Sequence, residues 1–263
     1  MVRKFKLTSF FKRRKLEIGS LCAAVVVWQF IAEFVVKNPL ILPSFSDVLV
    51  SFHELWETMI MDTSISLLHL GIGLGAAICI GILAGAAMGW FKTIDRAADP
   101  LIEIIRPIPP IAWIPFTILW FGLTHYAAGF IIFMGAVFPI LINTYAGFKS
   151  AERTLVEAAK VLGCTRDRDV VRSVVFPSAL PSIATGIRVG MGVGWMCVVA
   201  AEMFGVSSAG LGYRLWAQFY FLHQMDNVLL YMMAIGLILF FMDRVFRYFV
   251  EKKLLRWRRG IVI

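Results

Sequence analysis

Charge is scarce in this chain of 263 residues: 16% are Asp, Glu, Lys or Arg, while 59% are hydrophobic. A soluble domain has roughly a quarter of its residues charged and just under half apolar. The departure is too large for a soluble fold with a generous core. Cysteine is also thin, with four residues and no Cys-x-x-Cys pair. Cys22, Cys79 and Cys197 fall in apolar runs and Cys164 in a polar stretch, so neither a disulfide framework nor a zinc site is supported. The four histidines lack metal-ligand spacing, and no nucleophile–base arrangement can be identified. No G-x-x-x-x-G-K-S/T run occurs, which excludes that phosphate loop as a cradle for ATP. Catalysis finds no site here, and energy must come from another polypeptide or an ion gradient.

Long apolar sequence is what the chain has in abundance. A helix needs ~20 residues to cross the hydrocarbon, and six stretches meet that need: residues 18–36, 65–90, 102–121, 127–148, 183–204 and 228–246. The expected fold is an all-α polytopic membrane protein with about six transmembrane helices. A transmembrane domain over 18–250 would lie between a basic amino-terminal segment, 1–17, and a basic tail, 251–263. The first span follows Arg3, Lys4, Lys6, Lys12, Arg13, Arg14 and Lys15, as a secretory signal does. No convincing small-x-small cleavage site comes after it, so a retained anchor is expected.

The net charge of +9 flanks apolar segments and forms no patch on a soluble body. Anionic lipid and the positive-inside bias explain it better than nucleic acid. With both termini cytoplasmic, 24 of the 26 Lys and Arg face the cytoplasm and only Lys37 and Arg214 lie outside. The inverted topology would reverse that ratio.

Glycines recur at helical spacing, as Gly71 and Gly75, then Gly81, Gly85 and Gly89, then Gly186, Gly190 and Gly194. Such spacing lets helix backbones approach closely, either within one chain or between two copies. The third span opens with Arg106-Pro107-Ile108-Pro109-Pro110 and continues through Trp113 to Pro115. Proline breaks the helical ladder, and irregular backbone survives in hydrocarbon only when covered by protein or lining a cavity. Pro109, Pro110 and Trp113 are therefore candidates for a translocation path, the alternative being a proline-rich turn that starts the helix.

The stretch 149–182 is the most informative. Residues 152–162 are good helix formers, with Leu155, Ala158, Ala159 and Leu162 on one face. Gly163 tolerates the left-handed conformation that ends a helix. A short amphipathic helix of this kind can dock into a groove on a soluble partner, or lie on the bilayer.

Glu157-Ala158-Ala159, three residues, then Gly163, with Pro177 ahead of the next span, resembles the EAA loop of bacterial and archaeal ATP-binding-cassette importer permeases. The interval to Pro177 is slightly longer than the commonest form, and Phe176 stands where leucine is usual. Leu42-Pro43-Ser44, Asp99-Pro100-Leu101, the proline run from Arg106, Leu119-Trp120-Phe121-Gly122-Leu123, and Glu202 with Gly210-Leu211-Gly212 resemble the nitrate, sulfonate, taurine and bicarbonate branch. The resemblance runs from about Leu42 onward.

It implies a type I ABC importer permease fold in a bacterial or archaeal cell membrane. Implied partners are a second copy of the chain, two cytoplasmic ATPase subunits, an extracytoplasmic substrate-binding protein, and membrane lipid. No cofactor would be bound by this chain, ATP and Mg being used by the ATPases. Glu157, Ala158, Ala159, Lys160, Gly163, Cys164 and Thr165 would make the ATPase-coupling surface. The cargo would be a small anion of the sulfonate, taurine, nitrate or bicarbonate type, or else a pyrimidine-type vitamin precursor. An ion-coupled secondary transporter is a further alternative.

In this family the fifth span lines the path, which makes Arg188, Gly190, Gly194 and Glu202 candidates there. Arg188 would meet an anion or snorkel to the surface. Glu202 would act in a gate or in contact with the binding protein, or else hydrogen-bond at a helix end.

Overall fold

The computed structural model describes Leu16 and residues 18–250, and every regular element among them is helical. Apart from Leu16, the basic segments 1–17 and 251–263 lie outside the described residues. Helix α1 is Ile18–Val36, α2 Phe45–Trp90 and α3 Lys92–Ile105. A short tight turn, Pro110–Trp113, then leads into α4, Ile114–Phe121. Helix α5 is His125–Lys149, α6 Arg153–Val161 and α7 Asp167–Met203. Helix α8 starts at Leu211–Tyr213 and runs on as a wider coil over Arg214–Tyr220, and α9 is Met225–Phe249. Five of these helices are long and apolar enough to cross a membrane, or six if the bent pair α3–α4 counts as one span.

Two of the expected spans understate their helices. Helix α2 has 46 residues and is ~69 Å long at 1.5 Å per residue, where the apolar run begins only near residue 65. No Gly or Pro occurs between Phe45 and Leu70, so nothing ends the helix where Asp47, Glu54, Glu57 and Asp62 make the sequence polar. Ser44 caps its start: the Ser44 hydroxyl accepts from the Asp47 N–H at 3.2 Å, and the Ser44 N–H donates to the Asp47 carboxylate at 3.0 Å. Helix α7 likewise begins at Asp167, well before residue 183, and Pro177 and Pro181 lie inside its helical course. A wide turn at Val171–Val175 precedes Pro177, and this local change of ladder accommodates the missing N–H.

The third expected span is broken, as its prolines required. Helices α3 and α4 meet at 87°, with Arg106 at the end of α3 and Pro109 extended before the tight turn.

The described residues form two compact units, one of those up to Ile60 with Leu215–Ala234, the other of Met61–Arg214 with those from Ile235 onward. In the first, the Trp28 indole N–H donates to the Pro43 carbonyl at 3.1 Å and the Ser51 hydroxyl to Asp226 at 2.7 Å. Phe219 meets Tyr231 edge-on, with ring centroids 5.0 Å apart.

In the second unit α5 is the central element, with Ile131, Ile132, Ala136 and Ile140 fully buried. The glycine rows explain how its neighbours reach it. A Cβ on Gly85 would lie 2.5 Å from the Leu141 carbonyl oxygen, and one on Gly186 2.8 Å from Asn143 Cβ. These rows therefore pack within the chain, while Gly71 and Gly75 have nothing within 4 Å. Gly85→Val is expected to destabilise by about 1–3 kcal/mol, because the clash is with backbone that cannot rotate away. A lower midpoint of thermal unfolding in detergent would show it. Gly75→Ala should leave that midpoint unchanged, and equal behaviour of the two variants would contradict the packing described.

Candidate functional site

Helix α6 ends as its sequence requires. Gly163 adopts φ +100°, the Cys164 N–H reaches back to the Ala159 carbonyl at 3.0 Å, and the Gly163 N–H to that of Lys160 at 3.2 Å. This pair of bonds is the Schellman closure, which satisfies carbonyls that a helix end leaves open. Thr165 N–H then donates to the Gly163 carbonyl at 2.9 Å, fixing the chain's exit.

The face expected to be uniform is divided. Ala159 is buried, and Val156 and Cys164 pack against a core of Phe148, Val170, Val175, Ala179 and Ile183. Glu157, Ala158 and Lys160 are exposed. At the tip Val161 is 88% exposed and Leu162 85%, so two adjacent aliphatic side chains project from it.

A second constellation is wholly buried. Glu202 on α7, His69 and Ser66 on α2 have no solvent exposure. The Glu202 carboxylate accepts from the Ser66 hydroxyl at 2.9 Å and from the Gly212 N–H at 2.8 Å, and lies 2.7 Å from His69 Nδ1. His69 Nε2 lies 2.8 Å from Nδ1 of the exposed His125. One assignment satisfies every atom: His69 donates from Nδ1 to the carboxylate and accepts at Nε2 from His125. The Leu211 N–H completes the set by donating to the Ser66 hydroxyl at 2.9 Å. Gly210 holds φ +123°, and a side chain there would strike the Glu202 carboxylate. Glycine is needed at that turn on both counts. Gly210→Ala should cost about 1–3 kcal/mol in strain, visible as faster proteolysis of the loop before α8. Unchanged cleavage would contradict the tight fit.

The third feature is a cavity of about 360 Å³ at the break between α3 and α4, lined by α5 and α7. Arg106, Pro110, Phe138, Asn143, Val189 and Val193 are among its walls. Of the residues expected on a path, Pro110 lines this cavity. Pro109 is exposed beside it, and Trp113 is half-buried with an indole N–H that has no partner among the described residues.

Gly190 and Gly194 face elsewhere. A Cβ on Gly190 would crowd the Ala136 carbonyl at 2.9 Å, and one on Gly194 would touch Ile132 and Leu70. Arg188 is held by Asp243, Nε to Oδ1 at 2.5 Å and Nη2 to Oδ2 at 3.1 Å. In the sequence Arg106 is part of the proline run with no role of its own. Its signal there is a lone cation at a helix break, and Asn143 offers none.

A profile of the family described as binding-protein-dependent transport system inner membrane component matches residues 77–254. The chain is 44% identical over 254 residues to an ABC transporter permease protein of Methanocaldococcus jannaschii, with 94% of each chain covered. It is 33% identical to the taurine transport system permease protein of Escherichia coli, covering 92% of this chain and 89% of the relative. It is 31% identical to an aliphatic sulfonates transport permease protein of Bacillus subtilis, covering 92% and 88%. With the apolar helices, these likenesses fix what kind of subunit this is. The chain belongs to the inner membrane components of binding-protein-dependent transport systems: it is a multi-pass permease subunit of an ABC transporter, and not an enzyme.

Proposed function

We propose that the chain forms the translocation path for a small anion and takes its driving force from two cytoplasmic ATPase subunits that bind at α6. The observation that carries this reading is the Schellman-closed helix with Val161 and Leu162 exposed at its tip. A groove on an ATPase subunit that covers those side chains receives a lever. Helix α6 is fastened through Val156, and through Cys164 just beyond its end, to a core that includes Val170 and Val175 at the base of α7, so a push at the tip is delivered to a spanning helix. Glu157 and Lys160, exposed on the same helix, supply the charged rim, and Thr165 the exit.

Two copies of the chain enclose the path, both termini face the cytoplasm, and an extracytoplasmic binding protein delivers the cargo. The domain spans residues 18–250, with the coupling loop over 149–182. The chain itself binds no cofactor, and ATP and Mg act on the partners. Taurine and aliphatic sulfonates, named for two relatives, share a sulfonate group and support a cargo that carries an oxyanion.

The test is uptake into proteoliposomes holding the permease, its ATPases and its binding protein, with labelled taurine and nitrate as probes. Uptake is expected to need ATP on the side of the membrane that carries the ATPases, together with the binding protein on the other. Uptake driven by an ion gradient in the absence of ATP would refute the reading.

A further inference from the structure

We infer that Arg106 makes the cavity at the α3–α4 break selective for anions, acting as the guanidinium that a small oxyanion meets on its way through. The inference rests on reading the chain as a permease whose path includes this cavity.

Arg106 is the one charged residue lining the cavity. The guanidinium of Arg188 is paired with Asp243, that of Arg214 with Asp62 at 2.8 Å, and the ammonium of Lys149 with Asp95 at 2.8 Å. Arg106 has no ion-pair partner among the described residues, and no acidic residue lines the cavity. A cation left unpaired beside low-dielectric walls sets up a positive potential that concentrates anions and repels cations.

Recognition geometry agrees with the charge. The guanidinium offers parallel N–H donors that match two oxygens of a planar or tetrahedral oxyanion. The backbone here cannot compete for that role, because residues 107, 109 and 110 are prolines without an N–H. Asn143 adds a second donor on the opposite helix. Its amide nitrogen gives one hydrogen to the Pro139 carbonyl at 2.8 Å, which orients the side chain and leaves its other N–H for a ligand. The remaining walls, Phe138, Val189 and Val193 among them, are apolar and hold no anion tightly. Weak, oriented binding of this kind suits a waypoint that must also release its cargo.

The test measures the cavity's charge preference directly and needs no knowledge of the natural cargo. In the full-length permease with its partners in membranes, the four native cysteines are replaced and Val193→Cys is introduced on the cavity wall. Modification rates of that thiol are compared for anionic sulfonatoethyl methanethiosulfonate and cationic trimethylammonioethyl methanethiosulfonate. Each rate is normalised to the same reagent's rate with a small uncharged thiol in solution.

With Arg106 in place, the anionic reagent should be favoured by about tenfold relative to the free thiol, as expected for a unit charge acting with opposite sign on the two reagents through a largely aqueous dielectric. Arg106→Gln should abolish the preference, and Arg106→Lys should keep most of it. A preference that is absent with Arg106 present, or unchanged in Arg106→Gln, overturns the assignment while leaving the path intact. That result would leave Arg106 as a helix-end residue interacting with the α3 dipole. Failure of both reagents to react with the introduced thiol would show the cavity closed to water, and would overturn the path reading along with it.

Discussion

Leu162→Asp is expected to release the ATPase subunits from the permease in detergent while leaving the permease itself inserted and folded. Leu162 is 85% exposed and its neighbour Val161 88%, so the change removes no contact within the chain. In the proposed complex the leucine enters a groove on the partner, and burying such a side chain contributes about 1.5–3 kcal/mol. Losing it weakens association by about 10–100-fold, and forcing a carboxylate into the same groove costs more.

Each assembly contains two such contacts, which compounds the loss. Leu162→Met conserves volume and apolar character and should retain the partners. Co-purification of ATPase subunits with a tagged permease reads both outcomes, and the permease's own unfolding midpoint controls for folding. Undiminished capture with aspartate at this position would remove α6 from the interface.

Glu202→Leu is expected to be the most damaging change inside the bundle. The carboxylate gathers Ser66, His69 and the Gly212 N–H around it with no solvent access. Without it those donors remain buried with no acceptor, and each such orphan costs about 1–3 kcal/mol. The loop Gly210-Leu211-Gly212 should lose its anchor at the same time, since it reaches α2 and α7 only through Ser66 and Glu202 in this network.

Glu202→Gln keeps one acceptor oxygen but turns an NH2 group toward donors, so it should fall between the two. The measurement is thermal unfolding of the purified permease together with limited proteolysis before α8. Equal stability of the wild type and Glu202→Leu would mean that the network contributes nothing.

Much of this was legible in the sequence, for reasons particular to each element. Helices α1, α5 and α9 coincide closely with apolar runs because polar residues bound the runs at both ends. The first half of α2 was invisible to hydropathy, since its carboxylates mark an exposed face at Asp47, Glu54 and Glu57 and a buried ion pair at Asp62, and not the end of a helix. Helix propensity and the absence of any breaker carried it on. In α7 the prolines at 177 and 181 read as loop, and the wide turn before them shows how a helix can hold a proline without stopping. The break at Arg106–Pro109 was anticipated from three prolines in four residues.

The α6 terminator was equally plain, because Gly163 follows a run of strong helix formers and only a left-handed residue closes it so tightly. What stayed hidden is pairing over long separations. Arg188 and Asp243 lie 55 positions apart, and His69 and Glu202 133, so Arg188 and Glu202 appeared in the sequence without their partners. Glu202 and the Gly210-Leu211-Gly212 run could be set side by side as motifs. Their connection through a backbone N–H on a carboxylate emerges only from the fold. Arg106 is the converse case: it is the one charged residue lining the cavity, and that place is what gives it a role.

What covers the tip of α6 decides how this permease is driven. A photoreactive benzoyl-phenylalanine placed at position 162 and illuminated in intact cells should form an adduct with a polypeptide carrying a G-x-x-x-x-G-K-S/T phosphate loop. The same group at Gly75, which faces open space, should form none with that partner. Adducts from position 162 to lipid alone, or to no ATPase subunit, would contradict the claim that α6 is where ATP hydrolysis reaches this permease.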